Sequence, residues 1–268
     1  MLKSQLILDL GSHSAKLYER QDQIQQLDVL TWELLEEGRN APLLEEMLGS
    51  FIAPWKENAI IEAIGTAAMR RSAAISTEIS NACKSLGITY RTISQKEEAE
   101  LLRKAVRESH IPQLLDVMNV GGGSIQIIQP EAELPVLLPF GISDLNQTFH
   151  LLDTPDQRKV EDCTEWVFRQ LPESLQSFAY TGGEKTYIES FGIQLNHGYC
   201  SAVDFYKLSR ELASLQLDEL ESRSPFDSKW MRGAVASNCI VIAALKRSRK
   251  DQFLPSDLNI AHGFLKQV

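Results

Sequence analysis

The sequence predicts an α/β protein of two similar lobes with a cleft between them. A short apolar strand that runs into a turn of glycine and serine, and then doubles back as a second strand, occurs at residues 6–17 and again at 115–129. The two copies align with Asp9 on Asn119 and Ser14 on Ser124, a constant offset of 110 residues. Since a repeat of that length is not a solenoid period, it indicates two domains that each open with a strand, a phosphate-binding turn and a strand.

Each turn has the composition of an anion-binding loop. Glycine lets a backbone adopt positive φ and approach a ligand closely, and consecutive amides that are free of strand pairing form a nest for anions. A tight hairpin that binds nothing explains one copy equally well, but two facing turns would clamp a phosphate chain from both sides. The residues assigned to phosphate binding in the two turns are Gly11, Ser12, His13, Ser14, Gly121, Gly122, Gly123 and Ser124.

The composition is that of a globular protein. At 268 residues with 43% apolar content, the chain is long enough for two domains of ordinary size. No apolar run approaches the roughly 20 residues that a membrane-spanning helix needs, and the first residues lead into a strand rather than a signal peptide. We therefore expect a cytoplasmic protein that binds no membrane. The four cysteines form no C-x-x-C pair, which argues against a zinc site and a disulfide framework.

The charge restricts the class of ligand. A net charge of −9 counts against nucleic acid, because duplex binding relies on a basic face. A small polyanion is compatible with this charge where local cations neutralise it, and the candidates are Lys16, Arg70, Arg71 and Mg²⁺. None of the five histidines has ligand spacing, and neither G-x-S-x-G nor H-E-x-x-H occurs, so serine-nucleophile and zinc-hydrolase chemistry are poorly supported.

Strand and helix patterns alternate through the first half. Residues 24–35 predict a strand, residues 38–40 a turn, and residues 43–52 and 72–86 predict helices. A buried strand over residues 59–64 lies between those two helices.

A polar segment follows the carboxyl end of that strand, which is the position where open α/β sheets bind ligands. The segment contains Thr66, Arg70 and Arg71. We assign Thr66 and Arg70 to phosphate binding, although a turn with solvated arginines explains the segment equally well.

A strand over residues 88–93 leads into a helix that begins after Ser94. Ser94 and Glu97 have the spacing of a capping box, in which each side chain satisfies an amide of the first helical turn. This pattern accounts for Glu97 without any catalytic role.

The second half predicts a strand over residues 134–138, a helix over 155–171 and a mainly helical tail over 203–220 and 227–246. A last helix is expected to begin at Ser256 and Asp257, which have the character of N-caps.

A third turn, Thr181-Gly182-Gly183, follows the strand at residues 178–180. Gly182 and Gly183 are assigned to phosphate binding at the start of the next helix. We divide the chain into an N-terminal lobe over 1–115 and a C-terminal lobe over 116–255, with the terminal helix over 256–268 returning to the first lobe.

In their order along the chain and in their residue pattern, these motifs resemble those of the exopolyphosphatase and guanosine pentaphosphate phosphohydrolase family. This family is a branch of the actin-like ATPase and sugar kinase superfold. The stretches that carry the resemblance are residues 8–14, 63–71, 93–99, 120–124, 138–141, 181–183 and 256–257. The resemblance implies two RNase H-like lobes with the active site in the cleft. It also implies hydrolysis of a terminal phosphoanhydride, in inorganic polyphosphate or in a phosphorylated guanosine nucleotide.

The resemblance implies roles for individual residues as well. It matches Glu97 to the carboxylate that activates water, and it places Asp9 and Asn119 in the catalytic centre. The family has an aspartate and a glutamate where this chain has Asn119 and Gln126. Since Mg²⁺ is held through carboxylates, the resemblance implies that Asp9, Asn119 and Gln126 form a weakened Mg²⁺ site.

Two functions therefore stay open at this point. The first is a phosphohydrolase of the exopolyphosphatase type with Glu97 as base. The alternative is a catalytically impaired relative that binds a phosphate ligand or a protein partner without turnover. A kinase is least favoured, because adenosine-binding elements are not recognisable beyond Gly182 and Gly183. The oligomeric state also stays open, with a homodimer among the alternatives.

Overall fold

The computed structural model describes residues 4–20, 24–35, 44–152 and 154–264. The turn predicted at residues 38–40 lies outside these ranges. Within them the chain forms one sheet of five strands and one of six, and helices pack against both sheets. The predicted α/β class is therefore confirmed.

Five strands of the first half form the first sheet. They are β1 (Ser4–Leu10), β2 (Ser14–Arg20), β3 (Ile24–Thr31), β4 (Ala59–Gly65) and β5 (Thr89–Thr92). Their order is β3-β2-β1-β4-β5, in which β1, β2 and β3 pair antiparallel while β4 and β5 extend the sheet in parallel. Leu8 of β1 and Ile64 of β4 are fully buried, which explains why both strands appear as apolar runs.

The second sheet repeats this arrangement. Its strands are β6 (Asp116–Val120), β7 (Ile125–Ile128), β8 (Val136–Leu138), β9 (Phe178–Thr181), β10 (Cys200–Ser201) and β11 (Gln252–Ser256). The order is β10-β11-β9-β6-β7-β8. Taken from the other edge, the strands β8-β7-β6-β9-β11 match β3-β2-β1-β4-β5 of the first sheet in order and direction. β8, β7 and β6 pair antiparallel, and β9 and β11 then extend the sheet in parallel. Both lobes thus have the RNase H-like topology that the resemblance implied.

The helices of the first half are α1 (Leu44–Ile52), α2 (Ala67–Arg71), α3 (Ala73–Leu86) and α4 (Gln95–Arg107). α1, α3 and α4 agree with the predicted helices to within a few residues, whereas α2 lies in a segment that was predicted to be a turn. α3 ends at Gly87, whose φ of 73° is the left-handed conformation that favours glycine at a helix C-terminus.

The helices of the second half pack around one that is buried. They are α5 (Ile142–Phe149), α6 (Gln157–Gln170), α7 (Glu184–Ser190), α8 (Ala202–Ala213), α9 (Leu217–Ser222), a 3₁₀ helix (Ser228–Gly233) and α10 (Ala234–Ser248). Most residues of α10 are buried, and it packs against α6 and α8 in the core of the second lobe. Among the described residues, no helix has the length and apolar character needed to cross a bilayer.

Two of the predicted helices are interrupted. The helix predicted over 203–220 is divided into α8 and α9, because the side chain of Glu219 accepts a hydrogen bond from the Gln216 amide and starts a new helix there. The helix predicted over 227–246 begins as the 3₁₀ helix, which Asp227 caps through the Lys229 amide.

The predicted start of the last helix at Ser256 is wrong. Ser256 ends strand β11, which the sequence did not reveal because Pro255 interrupts the strand pattern. The terminal helix α11 (Ile260–Phe264) begins after Asn259, whose Oδ1 accepts a hydrogen bond from the Ala261 amide at 2.9 Å. α11 packs against α4 and β1, and the lobe boundaries themselves stay a prediction.

Candidate functional site

A cavity of about 100 Å³ lies between the two sheets, and both glycine turns form part of its wall. From the first half it is lined by Asp9, Gly11, Ser12, His13, Ser14, Lys16, Thr66 and Glu98. From the second half it is lined by residues that include Asn119, Gly121, Gly122, Gly123, Ser124, Thr181, Gly182 and Glu184. The two turns that the repeat predicted to face each other therefore share one cavity.

The two turns approach each other closely. A Cβ atom built on Gly122 would lie 2.7 Å from the His13 nitrogen, and one built on Gly123 would lie 2.8 Å from Ser12 Oγ. Neither distance is tolerated by a real side chain, so glycine is required at both positions for space. The glycines at 121–123 do not adopt the positive φ expected of glycine in such a turn, whereas Gly182 and Gly183 do, with φ of 120° and 110°.

The turns present unused hydrogen-bond donors to the cavity. Each turn is closed by one bond, from the Gly11 amide to the Ser14 carbonyl at 2.9 Å and from the Gly121 amide to the Ser124 carbonyl at 3.0 Å. In the described parts of the chain, the amides of residues 12–13 and 122–123 donate to no protein acceptor. The buried hydroxyl of Ser12 also has no partner there. Such an array of free donors is suited to phosphate oxygens.

The two hairpins place different side chains at equivalent positions beside the cavity. Asp9 of β1 lies opposite Lys16 of β2, and Asn119 of β6 lies opposite Gln126 of β7. Burial raises the pKa of Asp9 to about 6, against the lowering effect of the Lys16 ammonium. The first hairpin thus carries a charged pair and the second a neutral pair.

The neutral pair is held in a hydrogen-bond network. Asn119 Nδ2 donates to Gln126 Oε1 at 2.7 Å, and Gln126 Nε2 donates to Ser124 Oγ at 3.0 Å. Thr181 Oγ1 donates to Asn119 Oδ1 at 3.3 Å. Since both amide oxygens already accept hydrogen bonds, this pair stabilises the base of the second turn.

The structure places Glu97, the predicted base, outside the cavity. The Glu97 side chain is 40% exposed, forms an ion pair with Arg91 at 2.5 Å and is not part of the cavity wall. The next residue, Glu98, lines the cavity, and its side chain is only 6% exposed. Helical geometry explains the difference, because Glu98 shares the buried face of α4 with Leu102 and Ala105 at helical spacing, whereas Glu97 points to solvent.

Arg70 holds the Glu98 carboxylate in place. Its guanidinium lies 2.8 Å from Glu98 Oε2 and donates to Ser124 Oγ at 3.2 Å and to the Ile93 carbonyl at 3.0 Å. Burial raises the pKa of Glu98 to about 7, and the charge of Arg70 opposes this increase. A carboxylate with such a pKa exchanges a proton readily near neutral pH.

Arg70, which was predicted to bind phosphate, and its neighbour Arg71 both use their guanidinium groups to connect the lobes. Arg70 is engaged with Glu98 and Ser124, as described. Arg71 donates to the carbonyls of Gly123 and Pro139 and pairs with Asp144 at 2.7 Å. Neither arginine lines the cavity.

Thr66 and Gly182 lie on the cavity wall as predicted, whereas Gly183 does not. Thr66 Oγ1 donates to the Leu10 carbonyl at 3.3 Å and so ties the first turn to strand β4. A Cβ on Gly183 would lie 3.6 Å from Trp230 and 3.8 Å from Phe226.

A segment around the 3₁₀ helix closes the opposite side of the cavity, which sequence reasoning missed. The Thr31 amide donates to Asp227 Oδ2 at 2.5 Å, and Arg232 pairs with Glu33 at 2.9 Å. His13 Nε2 lies 3.3 Å from the Trp230 carbonyl. Charged residues in a helical pattern gave no signal for these contacts, because their partners lie almost two hundred positions away in the chain.

Glu184 is the third buried carboxyl of the cavity, and it was also missed. Burial, reinforced by the charge of Asp257, raises the pKa of Glu184 from 4.5 to about 8. The folded protein therefore binds a proton here more strongly than the unfolded chain, so its stability decreases as pH rises from about 4.5 to about 8.

We expect Glu184→Gln to remove this loss of stability. The variant and the wild type should have similar free energies of unfolding near pH 5, and the variant should be more stable by a few kcal/mol at about pH 9. Urea denaturation at both pH values measures the difference. A variant that is less stable than the wild type at both would show that Glu184 is not protonated in the native protein.

The donor set was tested against Mg²⁺, the ion that the resemblance implied. Mg²⁺ prefers carboxylate oxygens and near-octahedral geometry. Within the described ranges, no three His, Cys, Asp or Glu side chains are placed to share a metal ion. Asn119 and Gln126 are neutral and bonded to each other, and the Lys16 ammonium lines the same cavity. The described residues therefore do not form an all-protein site for a resident Mg²⁺, although Asp9, Glu98 and Glu184 line the cavity separately.

Comparisons with known proteins agree with this architecture. A model of the Ppx/GppA phosphatase family matches residues 44–224. An exopolyphosphatase from Cytophaga hutchinsonii has a similar structure, with a TM-score of 0.79 and 15% sequence identity over 97% of this chain and 96% of that one. A Ppx/GppA family member from Aquifex aeolicus gives a TM-score of 0.68 and 19% identity over 98% and 96% of the chains.

An exopolyphosphatase-like protein gives a TM-score of 0.76 and 14% identity over 97% of both chains. A search of curated proteins gives no match. The likeness of the solved structures extends over both lobes and shows a common fold.

Proposed function

The chain belongs to the Ppx/GppA phosphatase family, and from this premise we propose that it hydrolyses the terminal phosphoanhydride bond of an oligophosphate held in the cleft. The single observation that carries the proposal is the position of Glu98, a buried carboxyl on the wall of a cavity that two donor-rich turns form together. Family membership supports a phosphohydrolase in general. The substrate and the base are our proposal.

The substrate is held mainly by main-chain groups. The free amides of residues 12–13 and 122–123, with the Ser12 hydroxyl, are placed on both sides of the cavity and bind the oxygens of consecutive phosphates. Because the two turns approach each other closely, donors from both reach the same phosphate chain. Phosphoryl transfer depends chiefly on such positioning and on neutralisation of charge.

Glu98 takes the role of general base. In its ionised form, it accepts the proton of a water molecule as the water oxygen forms a bond to the terminal phosphorus. The bond from phosphorus to the bridging oxygen breaks, and its electron pair leaves with the shortened oligophosphate. Arg70 keeps the Glu98 carboxylate oriented and partly ionised near neutral pH.

The substrate class is a molecule with a linear oligophosphate chain, either inorganic polyphosphate or the 5′-triphosphate of guanosine pentaphosphate. A phosphate-release assay of the purified full chain on long-chain polyphosphate, tripolyphosphate and guanosine pentaphosphate tests this proposal. Release of orthophosphate from at least one of these supports it. Absence of release from all of them, in EDTA and in Mg²⁺ or Mn²⁺, contradicts it.

A second candidate function is phosphate binding without turnover. It is favoured by Asn119 and Gln126, which are neutral and bonded to each other beside the cavity. Calorimetry with tripolyphosphate and guanosine tetraphosphate distinguishes the candidates. Tight binding without phosphate release supports this second function, whereas turnover by the wild type excludes it.

We expect the double variant Asn119→Asp, Gln126→Glu to gain Mg²⁺-dependent phosphate release. Two carboxylates at this position would provide the negative oxygens that Mg²⁺ requires, and we expect the Mg²⁺-dependent rate to rise about tenfold or more. The rate is measured with and without EDTA. A rate that is unaffected by Mg²⁺ in the double variant would show that these positions do not bind the ion.

A further inference from the structure

We propose that the ammonium group of Lys16 takes the place of a divalent cation in the cleft, so that this chain binds oligophosphate without a metal ion. This inference rests on the proposed function only in that the cleft binds oligophosphate. It concerns binding and not turnover, and the two are tested by different measurements.

The first argument is the position of Lys16. It projects from β2 opposite Asp9, lines the cavity together with both turns, and its Nζ donates to the Gly182 carbonyl of the opposite lobe at 3.0 Å. The ammonium is therefore fixed between the lobes, beside the amides that are proposed to bind phosphate. A bound phosphate chain would have to pass close to it.

Lys16 has more N–H hydrogen-bond donors than the described residues use. An ammonium group has three N–H donors. Within the described part of the chain, Lys16 uses one of them, for the Gly182 carbonyl. The other two are available to phosphate oxygens, and a charge-assisted hydrogen bond of this kind is about twice as strong as a neutral one.

The third argument is the lack of another cation on the cavity wall. Of the described residues that line the cavity, Lys16 is the single lysine or arginine. Arg70 and Arg71 are engaged with Glu98 and with Asp144, and burial lowers the pKa of His13, which favours its neutral form. Burial lowers the pKa of Lys16 as well, but the charges of Asp9 and Asp257 oppose this effect and favour the ammonium form that an oligoanion would meet.

The fourth argument is the contrast between the two hairpins. Gln126 occupies in the second hairpin the position that Lys16 occupies in the first, and its side chain is bonded to Asn119 and Ser124. The second lobe offers hydrogen-bond donors but no charge at this point. Asp9, Glu98 and Glu184 also line the cavity, but among the described residues no three acidic, His or Cys side chains are placed to share a divalent ion, and the hairpin pair of the second lobe is neutral.

Isothermal titration calorimetry of the full chain with tripolyphosphate tests the proposal. In the wild type, we expect the same Kd in excess EDTA and in excess Mg²⁺. Lys16→Met should weaken binding in EDTA by about 10-fold to 100-fold, since a hydrogen bond to a charged group is lost, while Lys16→Arg should retain most of the affinity. Lys84→Met, at an exposed position of α3 in the same lobe, serves as the matched control and should bind like the wild type.

Wild-type binding that disappears in EDTA and returns with Mg²⁺ would overturn the proposal, as would unchanged affinity in Lys16→Met. The wild-type comparison needs no variant, so it decides the matter even if Lys16→Met fails to fold. Binding in EDTA without phosphate release would support this inference and contradict the proposed hydrolysis. If phosphate release and tripolyphosphate binding both require Mg²⁺, the proposed hydrolysis is supported and this inference is contradicted.

Discussion

Glu98→Gln is expected to lower the rate of phosphate release by about 10²-fold to 10⁴-fold, the usual contribution of a general base. Glutamine preserves the size of the side chain and cannot accept the proton of the attacking water. Glu97→Gln is the matched control, since Glu97 is the adjacent carboxylate on the same helix and faces solvent beside Arg91. Its rate should stay close to that of the wild type.

The pH dependence of the wild type provides a second test of the same residue. Because burial raises the pKa of Glu98 to about 7, the ionised and active form is depleted below that pH, and phosphate release should increase as pH rises through about 7. The rate of phosphate release at each pH is measured at saturating tripolyphosphate, in aliquots in which the reaction has been stopped. Equal rates in wild type and Glu98→Gln, or a large loss in Glu97→Gln alone, would remove Glu98 from the mechanism.

Gly122→Ala is expected to have the second largest effect. The new methyl group would lie 2.7 Å from the His13 nitrogen and 2.9 Å from its Cβ, so one turn has to move away from the other. A shift of this size in the groups that position a substrate costs about 10²-fold in rate. We expect the loss in phosphate release to be accompanied by weaker binding of tripolyphosphate.

Gly49→Ala is the control for Gly122→Ala, because Gly49 lies within helix α1 and a Cβ there meets its nearest neighbour at 3.4 Å. Alanine favours a helix, so this variant should be as stable as the wild type and bind equally well. Calorimetry and urea denaturation of both variants give the comparison. Normal affinity in Gly122→Ala would show that the turns do not need their close approach.

The sequence was sufficient to predict the duplicated architecture and the location of the cavity. The alignment of Asp9 with Asn119 correctly indicated two hairpins at equivalent positions, and five strands of the second sheet repeat the order of the first. This worked because a strand, a glycine turn and a strand are local features, and the repeat related the two copies directly. Strand β11 was missed because its parallel pairing with β9 is not a local feature.

The choice between Glu97 and Glu98 required a closer use of helix periodicity. Glu98 precedes Leu102 by four positions and Ala105 by seven, the spacing of one buried helix face, so the information was present in the sequence. The resemblance to a family pattern of two consecutive glutamates could not separate them. Helical geometry does, because adjacent side chains on a helix point in different directions.

The roles of the arginines and of the tail could not be predicted in the same way. Arg70 was assigned to phosphate binding and Arg71 was a candidate cation, and both form contacts between the lobes, with Ser124, Gly123 and Asp144. The contact of Asp257 with Thr186, at 2.6 Å between Oδ2 and Oγ1, likewise replaces the predicted helix cap. Such contacts join segments that are remote in the chain, and a charge pattern contains no information on distant partners.

The central claim is that the two turns bind one oligophosphate chain between them through main-chain amides. A titration of ¹⁵N-labelled protein with tripolyphosphate, followed through the amide resonances of Ser12, His13, Gly122 and Gly123, tests it most directly. The account predicts that the resonances of both turns shift together and give the same Kd. Shifts in one turn alone, or in neither, would contradict it.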